Sequence, residues 1–156
     1  MRWPGRIPAG KTCAELCTMM DLLPTLARLA GAEVPNDRII DGHDIRPLMA
    51  GEPGARSRYK AFYYYHIEQL QAVRSGRWKL YLPLAGEKRT SSVRLYDLEA
   101  DLGETTNLAG KHRAVATRLL ALAEEAREDI GDVGRPGRNQ RPAGFVAEPA
   151  PRKLRR

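Results

Sequence analysis

No stretch of eighteen apolar residues occurs in this chain, which excludes an ordinary membrane-spanning helix, and no apolar leader core follows Met1. As written, the sequence is expected to stay in the cytoplasm. Cysteine is scarce: Cys13 and Cys17 stand alone beside three histidines, so a zinc or cluster site with Cys/His ligands at metal spacing is missing. On a helix the two thiols share one face, and they are expected to be buried or half-buried and reduced. His43, in an Asp-Gly-His-Asp turn, reads as a solvated or capping side chain rather than a ligand. Acidic residues are outnumbered, 19 against 26 Lys and Arg, for a net charge of +7. Seven basic residues against two acidic ones place +5 of that charge in residues 131–156, leaving +2 for the first 130. The surplus that would suggest nucleic acid is therefore a property of the tail, while the body is close to neutral.

What is present is an ordinary globular composition, 42% hydrophobic and 29% charged over 156 residues, enough for one modest core. Trp3-Pro4-Gly5 reads as a turn fed by a strand. A first helical piece is expected over Ala14–Met20. Asp21 as N-cap and Pro24 in the first turn then open a second, in which Leu22, Leu26, Leu29 and Ala30 recur at helical spacing to pack on a sheet, with Gly31 as the stop. Residues 32–40 form a polar connector, and Ile45–Met49 one short helical turn ended by Gly51.

The pattern then changes to strands. Ala61–His66, Leu70–Arg74, Trp78–Leu82 and Thr90–Asp97 form a four-stranded antiparallel sheet, with Ser75–Gly76 as a two-residue turn and residues 86–89 as a loop. Glu104 and Asn107 are candidate side-chain caps for a long amphipathic helix over 111–130, whose Val115, Leu119, Leu122 and Ala126 give one apolar stripe. Residues 131–156 offer few apolar side chains and are expected to be disordered. The fold class is α+β: the sheet packed with the long C-terminal helix, preceded by a strand-helix segment.

Four blocks carry a resemblance. They are Arg2-Trp3-Pro4-Gly5 with Asp21-Leu22-Leu23-Pro24-Thr25-Leu26; Ile40-Asp41-Gly42-His43-Asp44-Ile45-Arg46-Pro47-Leu48; Ala72-Val73-Arg74-Ser75-Gly76-Arg77-Trp78-Lys79-Leu80-Tyr81; and Leu95-Tyr96-Asp97 running on to Asp101-Leu102-Gly103-Glu104-Thr105-Thr106-Asn107-Leu108. In this order and spacing they closely resemble the C-terminal third of the sulfatase family, arylsulfatases and relatives of the alkaline-phosphatase-like superfamily, over residues 2–141.

The resemblance implies that residues 1–31 end the large α/β sulfatase domain, 32–59 connect, 60–130 form the small C-terminal subdomain, and 131–156 are a basic tail. It also implies what to look for in a complete member: a formylglycine made within a Cys/Ser-x-Pro/Ala-x-Arg motif, and calcium on paired acidic residues. Neither the motif nor an Asp-Asp, Asp-Asn or Asp-His pair occurs here, so no catalytic or metal residue is assigned and no cofactor is expected in this chain. The expected partner is an N-terminal catalytic domain acting on a sulfate ester, in a complete enzyme that can be exported; membrane and nucleic acid are not expected partners. A truncated or mis-started gene, a split enzyme and a metagenomic fragment remain equal readings of such a chain. In the family the small subdomain often shapes the pocket mouth, which makes Arg74, Lys79, Tyr81 and His66 the candidate substrate-binding residues. The bland reading leaves Arg74 and Lys79 as a solvated face and Tyr81 as sheet packing. The alternative from another class is a small basic interaction protein binding nucleic acid through its arginine-rich tail.

Overall fold

The computed structural model describes residues 1–84, 92–140 and 146–148. The chain divides into two compact units, Met1–Phe62 and Tyr63–Arg156.

The first unit is built on a 3-10 turn (Met19–Asp21) running into helix α1 (Leu22–Leu29), with helix α2 (Arg46–Ala50) further on. No strand occurs in residues 1–31, and Ala14–Met20 is not a helix: only its end joins the 3-10 turn. The reason lies in Thr18 and Asp21, which close a reciprocal capping box around that turn and so start the helical segment there. Asp21 occupies the N-cap position of α1, yet its side chain caps nothing in α1. Its carboxylate is buried and accepts from Thr18 N–H at 2.6 Å, His43 N–H at 2.7 Å and the Tyr59 hydroxyl at 2.5 Å. Thr25, one turn on, accepts from Ile45 N–H at 3.0 Å. Residues 32–59, read from the sequence as a connector, are thereby folded together with residues 1–31. Gly42 permits this: a Cβ there would lie 1.9 Å from the Met20 carbonyl oxygen. At the other end of α1, Gly31 at φ +72° allows the bonds Gly31 N–H to Arg28 O and Ala32 N–H to Ala27 O that close the last turn.

The second unit, apart from the first residue of β1, contains the sheet β1 (Phe62–His66), β2 (Gln69–Ser75), β3 (Trp78–Tyr81) and β4 (Arg94–Asp97), in that spatial order, and helix α3 (Arg113–Asp129). β2, β3 and β4 pair antiparallel. Ser75 pairs with Trp78, so the turn residues are Gly76 and Arg77 rather than Ser75 and Gly76; Ser75 instead accepts from Arg118 of α3 at 3.0 Å. The loop expected at 86–89 and the start of the fourth strand at Thr90 lie outside the described residues. Register places Val73, Leu80 and Leu95 on one face, where they are fully buried with Leu119, Leu122, Ala123 and Ala126 of α3. Burying each large side chain there contributes about 1.5–3 kcal/mol. The long helix and its stripe are as the spacing predicts.

Residues 131–140 are ordered, contrary to expectation. A short hairpin, β5 (Gly131–Asp132) and β6 (Arg135–Pro136), follows α3. Asp132 accepts from Arg127 Nε at 2.8 Å, Leu70 N–H at 3.1 Å and Val133 N–H at 2.9 Å, and Tyr65 donates to the Gly131 carbonyl at 2.8 Å. Arg138 and Asn139 N–H groups bond the Glu128 and Asp129 carbonyls, which lack partners within the helix. A count of apolar side chains overlooks these polar anchors. No helix among the described residues is long and apolar enough to cross a membrane.

Candidate functional site

The sheet face opposite α3 carries the charge. Across β2, β3 and β4 the register sets Arg74 beside Lys79, Lys79 beside Tyr96, and Tyr81 beside both Ala72 and Arg94. Lys79 is only 14% exposed, with its ammonium 4.9 Å from the Tyr64 ring centre and 4.6 Å from that of Tyr81. Its Nζ donates to Glu104 Oε1 at 2.7 Å. Burial opposes the charge on both partners, yet the hydrogen bond between them raises Lys79 and, with a Tyr81 contact, lowers Glu104 relative to their ordinary values. The ion pair stays charged at neutral pH.

Glu104 reaches Lys79 from a loop whose shape follows from its acidic and amide side chains. Asp101 accepts from the N–H groups of Thr105 and Thr106, both at 2.8 Å, and Glu104 takes the left-handed conformation at φ +55°. Asn107 Oδ1 accepts from Leu95 N–H and Ala109 N–H, each at 3.0 Å, fastening the loop to β4. Neither Glu104 nor Asn107 caps α3, which starts at Arg113 without a side-chain cap. Five residues separate Asn107 from that start, too many for capping, so both side chains serve the loop and the sheet instead.

The four sequence candidates fall on one face, since Tyr64, two residues before His66, meets Lys79. Lys79 is committed to Glu104. Tyr81 packs edge-on against Tyr96 at 5.9 Å. Arg74 Nε donates to the Gly76 carbonyl at 3.2 Å, and His66 is exposed at the end of β1. Sequence reasoning missed Arg94. Its guanidinium carbon stands 4.9 Å from the Tyr81 ring centre and its Nε is buried without an acceptor among the described residues. Period-two spacing from Tyr96 would have placed it on this face.

The first unit presents a second feature. Leu23, Leu26 and Leu29 of α1 are 52%, 58% and 37% exposed, and Met19 and Met20 beside them are exposed too. Of the residues expected to pack on a sheet, Leu26, Leu29 and Ala30 are exposed and Leu22 is half-buried; no strand precedes Phe62 in this unit, and the helix buries its Pro24–Thr25 side. Cys13 and Cys17 are free but exposed rather than buried, since the segment holding them is not helical. The His43 ring lies 4.6 Å from that of Tyr59. No group of three His, Cys, Asp or Glu side chains among the described residues could hold a metal ion. The nucleic-acid reading finds no support: of the tail's basic residues, Arg135 pairs with Glu124 at 2.5 Å and Arg138 with Glu128 at 2.8 Å, and the others lie outside the described residues.

Residues 1–129 match the model of the family described as N-sulphoglucosamine sulphohydrolase, C-terminal. The chain is similar to human Arylsulfatase D, 33% identical over 162 residues, covering 84% of this chain and 27% of that protein. It is likewise similar to Arylsulfatase A of Bos taurus, 34% identical, covering 79% and 28%. Among solved structures, that of BT4656 in complex with its substrate D-glucosamine-2-N, 6-O-disulfate is 26% identical with a TM-score of 0.62, covering 81% of this chain and 27% of that one. The chain thus spans about a quarter of the length of these relatives.

Proposed function

The chain belongs to the sulfatase family, carrying its C-terminal region, and on that premise we propose that it is the supporting C-terminal portion of a sulfuric ester hydrolase, shaping the mouth of the substrate pocket without catalysing alone. Sulfuryl transfer needs a nucleophile, a cation for the sulfate oxygens and a general acid. Calcium and formylglycine do not fit the residues present: neither cysteine stands in the required motif and no described cluster suits a metal ion. In this reading both belong to a preceding catalytic portion, and no step is derived through them here.

The observation that carries the reading is the bare apolar side of α1, Leu23, Leu26 and Leu29, in a chain a quarter as long as its relatives. Such a side favours burial against a partner, here the catalytic portion. The substrate is a sulfate ester, and a sulfated sugar of the kind BT4656 binds suits the polar face of the sheet. On that face Lys79 keeps Tyr64, Tyr81 and Glu104 in place, while Arg74 and His66 are open to a ligand.

Co-expression with the upstream portion of a related sulfatase tests this. The two should co-elute and hydrolyse an aryl sulfate, which the chain alone should leave intact. In the complex, Arg74→Ala should raise KM for an anionic sugar sulfate about tenfold, the loss of one charge-assisted contact. A compact monomer that ignores the upstream portion would overturn the reading.

A further inference from the structure

Arg94 is in an unusual position for an arginine. The side chain is half-buried, and its Nε is fully buried with no acceptor among the described residues. Arginine does not shed its charge by deprotonation, and its donors are arranged as a planar fork. A buried donor without an acceptor costs free energy, so native proteins rarely keep one without a reason. The nearby carboxylate, Glu104, feels the Arg94 charge but takes its hydrogen bond from Lys79. What Arg94 does have is the Tyr81 ring, 4.9 Å from its guanidinium carbon. A ring in that position steadies the guanidinium while leaving its hydrogen-bonding edge unused.

The geometry points to Arg94 as the anchor of an oxyanion site, in which its fork takes the sulfate-ester or carboxylate group of a ligand. Both groups offer the paired oxygens that a guanidinium edge bonds. Lys79 and Glu104 cancel one another, so Arg94 gives the spot a net positive charge. Arg74, across from Lys79 in the register, adds to it. This goes beyond the pocket-mouth reading and does not depend on it, because the site lies within this chain and binds its anion without a catalytic portion.

The test uses the chain as it is. Titration with methyl sulfate, and separately with acetate, at constant ionic strength should shift the Arg94 Nε–H and neighbouring amide resonances saturably in NMR spectra. The tighter of the two identifies the group, a sulfate ester of a substrate or a carboxylate from a protein partner. Arg94→Gln, with its fold checked by spectral dispersion, should weaken binding at least about tenfold. Should that variant fail to fold, Arg94→Lys keeps the charge but loses the fork and should still weaken it severalfold. Arg74→Gln should change binding less than Arg94→Gln. The inference is overturned if neither anion gives a saturable shift at Arg94, or if the folded Arg94 variant binds like the wild type.

Discussion

Lys79 and Glu104 meet at 2.7 Å across twenty-five residues of chain, and the pair is the joint between the sheet and the loop that follows it. The lysine ammonium stands over two tyrosine rings, and the glutamate is delivered by a backbone in the left-handed region that non-glycine residues seldom adopt. A loop that accepts such a conformation at Glu104 must be held by other bonds, and the Asp101 carboxylate supplies them.

Removing either partner leaves the other largely buried with its Tyr81 contact but without its opposite charge. Lys79→Met keeps the apolar stem and deletes the charge, so its cost isolates the pair; it should destabilise by about 1–3 kcal/mol in chemical denaturation, as should Glu104→Gln. The double variant should cost less than the two single losses added, with a coupling of at least about 0.5 kcal/mol. Strict additivity would mean that the two side chains stabilise separately and that the loop is held by Asp101 and Asn107 alone.

Much of this was legible beforehand, and the failures share a cause. Strand and helix positions followed from alternation and from the Val115–Ala126 stripe, because burial on one face imposes a period. Roles of polar side chains did not follow, because a carboxylate or amide can bond locally or across the fold and spacing does not say which. By spacing Asp21, Glu104 and Asn107 read as local helix caps; each instead bonds residues well away in sequence, His43 and Tyr59, Lys79, and Leu95. Asp132 misled in the same way, anchoring a hairpin in a stretch poor in apolar residues. Arg74, Lys79, Tyr81 and His66 are candidates through the family resemblance, and their shared face emerges only with the register, while the unpartnered Nε of Arg94 depends on tertiary neighbours that no spacing reveals.

Stability should fall at both ends of the pH scale. Against the effect of burial, Tyr59 and the N–H groups of His43 and Thr18 hold the Asp21 carboxyl below its ordinary value, and Arg127 with two backbone N–H groups does the same for Asp132. Carboxyls lowered in this way contribute stability that is present above their unfolded pKa, about 4, and lost as pH falls through the folded values. Tyrosine works with the opposite sign. Burial, with Asp21 beside one and Asp132 beside the other, pushes the Tyr59 and Tyr65 hydroxyls up to about 12, so their contribution is present below pH 10 and lost as pH rises from there towards 12. Thermal midpoints should therefore form a plateau that drops below about pH 4 and above about pH 10. The double variant Tyr59→Phe, Tyr65→Phe should lower the plateau and flatten the alkaline limb. An alkaline limb as steep as the wild type's would assign it to other groups.

The hairpin after α3 should matter to stability despite its composition. Truncation after Ile130 removes the Asp132 carboxylate that receives Arg127 and Leu70, the Gly131 carbonyl that receives Tyr65, and the N–H groups that bond the last carbonyls of α3. Arg127 is three-quarters buried and would keep only its longer contact with Glu124 at 3.5 Å, while the Leu70 N–H loses its acceptor. At about 1–3 kcal/mol for a stranded group of this kind, the truncated chain should melt roughly 5–15 °C lower. Asp132→Ala should reproduce a large part of that fall, and Asp132→Asn, which keeps one carbonyl oxygen for Leu70, a smaller part. Differential scanning calorimetry of the three proteins decides the point: a truncation that melts within about 2 °C of the full chain would show the hairpin to be an ornament on α3 rather than the clasp at its end.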